Sequence, residues 1–176
     1  MTGPAWKVRR ALVADAAGMA RCSVASWRKA YEGMMRSETL AGLSVEERTR
    51  QWRERLGDPG NPATNLVVEQ MGAIAGFASA GPARDDDLDK ARVAELWAIY
   101  VDPIFWGRGI GAALFERVTV ELRARGADAF VLWVLTANQR ARRFYEKQGM
   151  RPDGAEKSPV EDGEPLPHVR YRGPLG

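Results

Sequence analysis

Residues 93–112 read VAELWAIYVDPIFWGRGIGA and carry a strand into a helix across a glycine-rich turn. The run Val93–Val101 has strand character, and its alternation predicts that Glu95, Trp97, Ile99 and Val101 share one face. Asp102-Pro103-Ile104-Phe105 then leads into Trp106-Gly107-Arg108-Gly109-Ile110-Gly111-Ala112. Glycines accept positive φ and present no side chain to a ligand. Together with the free N–H groups of a helix N-terminus, such a loop forms a nest for phosphate or diphosphate. A tight strand-to-helix turn whose glycines merely ease packing uses the same residues, and the loop alone does not separate the two readings.

Two phosphate-binding patterns fit badly. The Walker pattern G-x-x-x-x-G-K-[ST] is absent. The dinucleotide fingerprint is present literally as Gly107–Ala112, but it belongs directly after its strand, with an acid about 20 residues on, ending the next strand. Here Asp102–Trp106 intervene, and Asp128 precedes the next strand. An NAD(P)-dependent oxidoreductase would also need a long parallel sheet with the glycine turn near its beginning, and these glycines fall past the midpoint.

Working outward, Ile110, Leu114, Val118 and Leu122 recur every fourth residue, which predicts a helix over Gly109–Arg125 ended by Gly126. Phe130–Leu135 is apolar throughout and reads as a strand buried on both faces. Ala137–Gln148 reads as a second helix, stopped by Gly149. Residues from Arg151 on are rich in Pro, Gly and acids and are expected to form a loop, with a last strand at His168–Arg172. Toward the N-terminus, Val8–Val13 is expected as a strand and Ala14–Tyr31 as a helix. Ser44–Leu56 is a second helix, opened by the capping pattern Ser44…Glu47 and closed by the turn residues Gly57–Pro62. Leu66–Glu69 and Ile74–Ala80 form a hairpin about Met71-Gly72. The acidic run in Arg84–Asp89 is expected to be a solvated loop.

A length of 176 residues suits one domain spanning 1–176. The longest apolar run, Ala129–Leu135, is far short of the roughly 18 residues a membrane span requires, and no signal-peptide pattern follows the basic N-terminus. One cysteine and one histidine argue against a disulfide framework and against the common metal sites. The expectation is a reduced, cytoplasmic protein with no metal and no membrane partner. Net charge is +3, but Asp102–Arg151 holds nine basic and five acidic residues, so this segment is +4 and the remainder −1. Such a field favours an anionic ligand, and no nucleic-acid motif accompanies it. Cys22, among small residues and with no base to pair with, reads as a buried small hydrophobe.

The segment Glu95–Gly149 resembles the GNAT superfamily of acyl-CoA-dependent N-acetyltransferases. Trp106–Gly111 matches that family's diphosphate loop [QR]-x-x-G-x-[GA] except at Trp106, where Gln or Arg is expected. A strand, Asn138, Tyr145 and Gly149-Met150 follow in the family's order. The resemblance implies an α+β fold with a mixed, mostly antiparallel sheet of six or seven strands and about four helices on both faces. It implies direct acetyl transfer from acetyl-CoA to a primary amine of a small molecule or peptide. A non-catalytic acyl-CoA-binding module on the same fold is the other reading, and a homodimer is possible.

By that resemblance Ile99, Tyr100 and Val101 line the pantetheine arm, acting through their backbones. The loop Trp106, Gly107, Arg108, Gly109, Ile110, Gly111 and Ala112 holds the diphosphate, Arg108 being its best-placed cation. Asn138 bonds the pantetheine arm, and it also suits a helix N-cap. Arg142, Arg143 and Lys147 are candidates for the 3′-phosphate or for a solvated face. Glu95 stands where some members carry a general base; the alternative is an acid paired with Arg92 or another arginine. Tyr145 is the candidate acid for the leaving thiolate, or a half-buried packing residue beside Phe144. Trp27, Tyr31, Trp52 and His168 are candidates for the acceptor pocket, His168 as an auxiliary base.

Overall fold

The computed structural model describes residues 6–175; residues 1–5 and 176, the ends of the expected domain, lie outside the described residues. The elements in order are β1 (Lys7–Arg10), α1 (Ala16–Ala30), α2 (Ser37–Ala41), α3 (Val45–Gly57), β2 (Thr64–Gln70), β3 (Ala73–Pro82), β4 (Val93–Val101), α4 (Ile110–Ala124), β5 (Ala129–Leu135), α5 (Gln139–Lys147), β6 (Arg151–Lys157), β7 (Val160–Glu161), β8 (Glu164–Pro165) and β9 (His168–Pro174). Seven strands form one sheet in the order β1-β2-β3-β4-β5-β9-β6, while β7 and β8 pair as a separate hairpin. All neighbours in the large sheet run antiparallel except β4 and β5. A single parallel pair overturns the dinucleotide reading, which needs a parallel sheet.

Two layers of helices cover this sheet. The stripe Ile110, Leu114, Val118 and Leu122 of α4 is buried against Leu66, Val68, Ala78 and Leu132. Each such fully buried aliphatic side chain stabilises by roughly 1.5–3 kcal/mol. On the other face, Met19, Ala20 and Cys22 of α1 pack with Trp52 of α3, Val67 and Phe77. Ser44 caps α3, its Oγ accepting from Glu47 N at 3.1 Å.

One helix, α2, is a single turn of five residues, too short to show a period in the sequence. Three expectations need correction. Residues 151–157 are a strand, not a loop, because β9 supplies the ladder that Arg151-Pro152-Asp153-Gly154 does not advertise. The acidic loop is not freely solvated: Arg170, 6% exposed, draws in Asp85, Asp87 and, from β6, Asp153. A buried guanidinium requires such partners. Finally, β4 does not keep one alternation. Ser79 faces Ala98 but Ala80 faces Leu96, so Trp97 is an extra residue. This bulge reverses the faces. Ile99 and Val101 pack on the α4 side, Ala98 and Tyr100 on the α1 side.

Candidate active site

The parallel pair is short. Only Val93–Leu96 of β4 meets Ala129–Leu132 of β5; Trp97–Val101 and Trp133–Leu135 diverge. Between them opens a cleft of about 620 Å³. Its wall includes Ile99, Tyr100 and Val101, the loop from Trp106 to Ala112 without Arg108, and Asn138 and Tyr145. Trp27 of α1, Tyr31 at its C-terminal end and His168 of β9 line the other part. The structure thus brings together most of the residues singled out in the sequence.

The loop is set up by Asp102, whose side chain accepts from Ile104 N at 3.1 Å and fixes a single helical turn at Pro103–Phe105. Gly107 and Gly109 have φ of 78° and 81°. A Cβ on either would meet nothing within 4 Å, so the requirement there is conformational. The first turn of α4 leaves its N–H groups without helical partners. Asn138 caps α5, its Oδ1 accepting from Ala141 N at 3.0 Å, and its –NH2 is uncommitted among the described residues.

The cations rearrange relative to expectation. Arg108 lies outside the wall, 5.5 Å from the Phe105 ring centroid. Arg142 turns away to Tyr171 Oη at 3.0 Å and the Thr136 carbonyl at 3.2 Å; Arg143 and Lys147 are also off the wall. The cation on the wall beside the loop is Arg140, which the sequence reading missed. Its guanidinium lies 3.4 Å from the Trp106 ring centroid, and the Trp106 indole donates to the Val101 carbonyl at 2.7 Å. Burial lowers the Arg140 pKa, and no described carboxylate offsets that. Trp106 therefore serves as a platform for a cation from α5, and it also takes up a Val101 carbonyl expected to be free for pantetheine. The signal was available only as a pair, an aromatic at the odd loop position and an arginine two residues after Asn138.

Glu95 is also placed differently. It is 1% exposed, on the face opposite Ile99, and absent from the cleft wall. Arg84 holds its carboxylate through the backbone N at 3.0 Å and through Nε at 3.1 Å and 3.2 Å. The paired reading is the one observed, with Arg84 as partner and not Arg92, which bonds Asp128.

At the other end, Trp27 and Tyr31 meet edge to face at 5.0 Å, and Tyr100 lies 6.3 Å from Trp27. Trp52 is not with them: it is a core residue against Phe77, 5.2 Å away. Burial pushes the Tyr31, Tyr100 and Tyr145 phenols above their ordinary values, so all three keep their protons at neutral pH. His168 Nδ1 lies 2.7 Å from the Leu166 carbonyl. A carbonyl only accepts, so Nδ1 carries the hydrogen, and in the neutral form of the ring the lone pair is on Nε2. Cys22 is buried, and burial pushes its thiol up to about 12, which suits packing and not nucleophilic work. Lys157 and Glu161 also reach the wall, from the segment read as loop.

A family model described as the Acetyltransferase (GNAT) family matches residues 17–150. The chain belongs to the GNAT acetyltransferase family. Among its relatives, the uncharacterized N-acetyltransferase MJ1207 of Methanocaldococcus jannaschii is 37% identical over 84 residues, 48% of this chain and 37% of that protein. The uncharacterized N-acetyltransferase YuaI of Bacillus subtilis is 28% identical over 131 residues, 74% of this chain and 72% of that one. The chain thus spans little more than a third of the first relative and most of the second. Among solved GNAT structures, yncA of Salmonella typhimurium, determined with its cofactor acetyl-CoA, superposes with a TM-score of 0.69 at 24% identity, covering 98% of this chain and 95% of that one. The fold of this GNAT chain, with no described helix long and apolar enough to cross a membrane, is that of the family.

Proposed function

We propose that this chain is a single-domain N-acetyltransferase that moves the acetyl group of acetyl-CoA directly to a primary amine of a small molecule or peptide. The observation that carries the reading is the divergence of β4 from β5 after Leu96, with the glycine loop on one part of the resulting cleft and Tyr145 on its wall. The residues fit the cosubstrate. The loop N–H groups of Gly107–Ala112 and the Arg140 guanidinium hold a diphosphate. The unpaired edge of β4 from Trp97 to Tyr100 and the Asn138 amide pair with the pantetheine amides as an added strand would. Acetyl-CoA supplies the activated thioester.

Tyr145, kept protonated by burial, provides the proton for the departing thiolate. Glu95 is spoken for by Arg84; of the other bases on the wall, His168 and the exposed Glu161, the proton acceptor is His168, through Nε2. Thermal-shift titration tests the cosubstrate: at about 100 times Kd, acetyl-CoA and CoA add roughly 2.7 kcal/mol, several degrees, while NADH and NADPH add nothing. Tyr145→Phe then lowers turnover roughly 100-fold with acetyl-CoA affinity unchanged. Undiminished turnover removes the acid role. Tight CoA binding with no transfer to any amine assigns the chain to acyl-CoA-binding modules.

A further inference from the structure

Among the described residues lining the cleft, Glu161 is the single carboxylate; Arg84, Arg140, Lys157 and His168 supply the other ionisable nitrogen groups. The acids of the loop after β3 already have cations of their own. Asp85 and Asp87 bind Arg170, and Asp86 binds Lys90. Glu161 sits at the rim, on the two-strand hairpin β7–β8, where it is paired in register with Glu164. It lines the same cleft as Tyr31, at the end of α1, and Tyr100 of β4, and its charge adds to the burial that raises both phenols.

The hairpin is held in place from outside. Its turn residue Asp162, at φ 51°, accepts from Thr39 Oγ1, and its carbonyl accepts from Arg36 Nη1 at 3.3 Å. Helix α2 thus fixes the turn next to Glu161. A carboxylate at the rim of a cleft walled by Trp27, Tyr31 and Tyr100 attracts an organic ammonium by charge. The cations of the wall are engaged elsewhere: Arg84 with Glu95, Arg140 over Trp106 and Lys157 over Trp133.

We infer that Glu161 is the specificity-determining residue for the acceptor, selecting amines that arrive as alkylammonium cations over arylamines, which are neutral at the same pH. This rests on the acetyltransferase reading above. Glu161 acts on binding and early orientation; the proton and acyl chemistry stay with the residues already named.

The test uses the full chain, saturating acetyl-CoA and free-thiol release, with a panel of alkylamines such as benzylamine and arylamines such as aniline. Glu161→Gln is expected to raise KM for the alkylamines roughly tenfold. The arylamine constants and the KM for acetyl-CoA stay unchanged. Glu161→Asp, which keeps the charge, recovers most of the loss. Added salt weakens alkylamine kcat/KM in the wild type but not in Glu161→Gln. Equal losses on both amine classes, no loss on either, or wild-type turnover confined to arylamines overturns the assignment. If the wild type binds CoA yet acetylates nothing in the panel, the acetyltransferase reading fails and takes this one with it.

Discussion

The two ends of the cleft are made of different materials. The cofactor end is backbone: a glycine turn at positive φ, the first turn of α4 and an unpaired strand edge. The acceptor end is side chain: Trp27, Tyr31, Tyr100, His168 and a hairpin tied to α2. Backbone geometry constrains residue type tightly, since few residues tolerate a left-handed turn. Aromatic walls tolerate many residue types, so they leave a weaker mark in a sequence and a freer choice of ligand.

The largest effect should come from breaking the backbone end. Gly109→Val puts a β-branched residue at φ 81°, a conformation that costs of order 1–3 kcal/mol and that such residues relieve by moving the loop. Calorimetric titration should show CoA affinity lost by roughly 100-fold or more, since several N–H donors move together. Unaltered affinity would mean the loop does not need its left-handed turn. Arg140→Ala is a milder disturbance that tests whether this end depends on side chains as well. Removing the cation over Trp106 should weaken CoA roughly tenfold while leaving acetyl-pantetheine, which lacks the diphosphate, unchanged. Equal weakening of both ligands would assign Arg140 to packing.

The smallest effect involves neither end and serves as the control. Cys22 has an ordinary thiol value of 9.0 that burial raises to about 12. Its contribution to stability is therefore whole below the unfolded value and is lost as pH rises from 9.0 toward about 12. Urea unfolding should show a fall in stability between about pH 8 and about pH 10.5 that is smaller in Cys22→Ala, with CoA binding unaffected at neutral pH. An identical fall in both proteins would locate the alkaline sensitivity in the buried phenols alone.

Much of this was legible from residues 93–150, because apolar period and glycine placement both point the same way there. Val93–Val101 has the bounds read from sequence, and Gly109 and Gly126 stand at the two ends of α4 as read. What could not be read was a shift of one residue. The bulge at Trp97 leaves composition untouched yet sends Glu95 and Ile99 to opposite faces, so the strict alternation that joined them was wrong. The β6–β8 segment was hidden for another reason: it has no apolar alternation, the pairing of β6 is set by β9, and β7 and β8 pair only with each other. Glu161 and Lys157 were lost with it. Arg84 was invisible as Glu95's partner because only the β3–β4 connection brings it close.

The divergence of β4 and β5 has one more consequence. The gap is lined by α1 residues from one side of the sheet and by α4 and α5 residues from the other, so it passes through the sheet like a window. Two reactants can lean in from opposite sides and meet inside without sharing a doorway. Neither has to leave before the other arrives. On the proposed acetyltransferase reading no way station on the chain's own side chains is needed, and initial-rate kinetics are expected to follow a sequential, ternary-complex law.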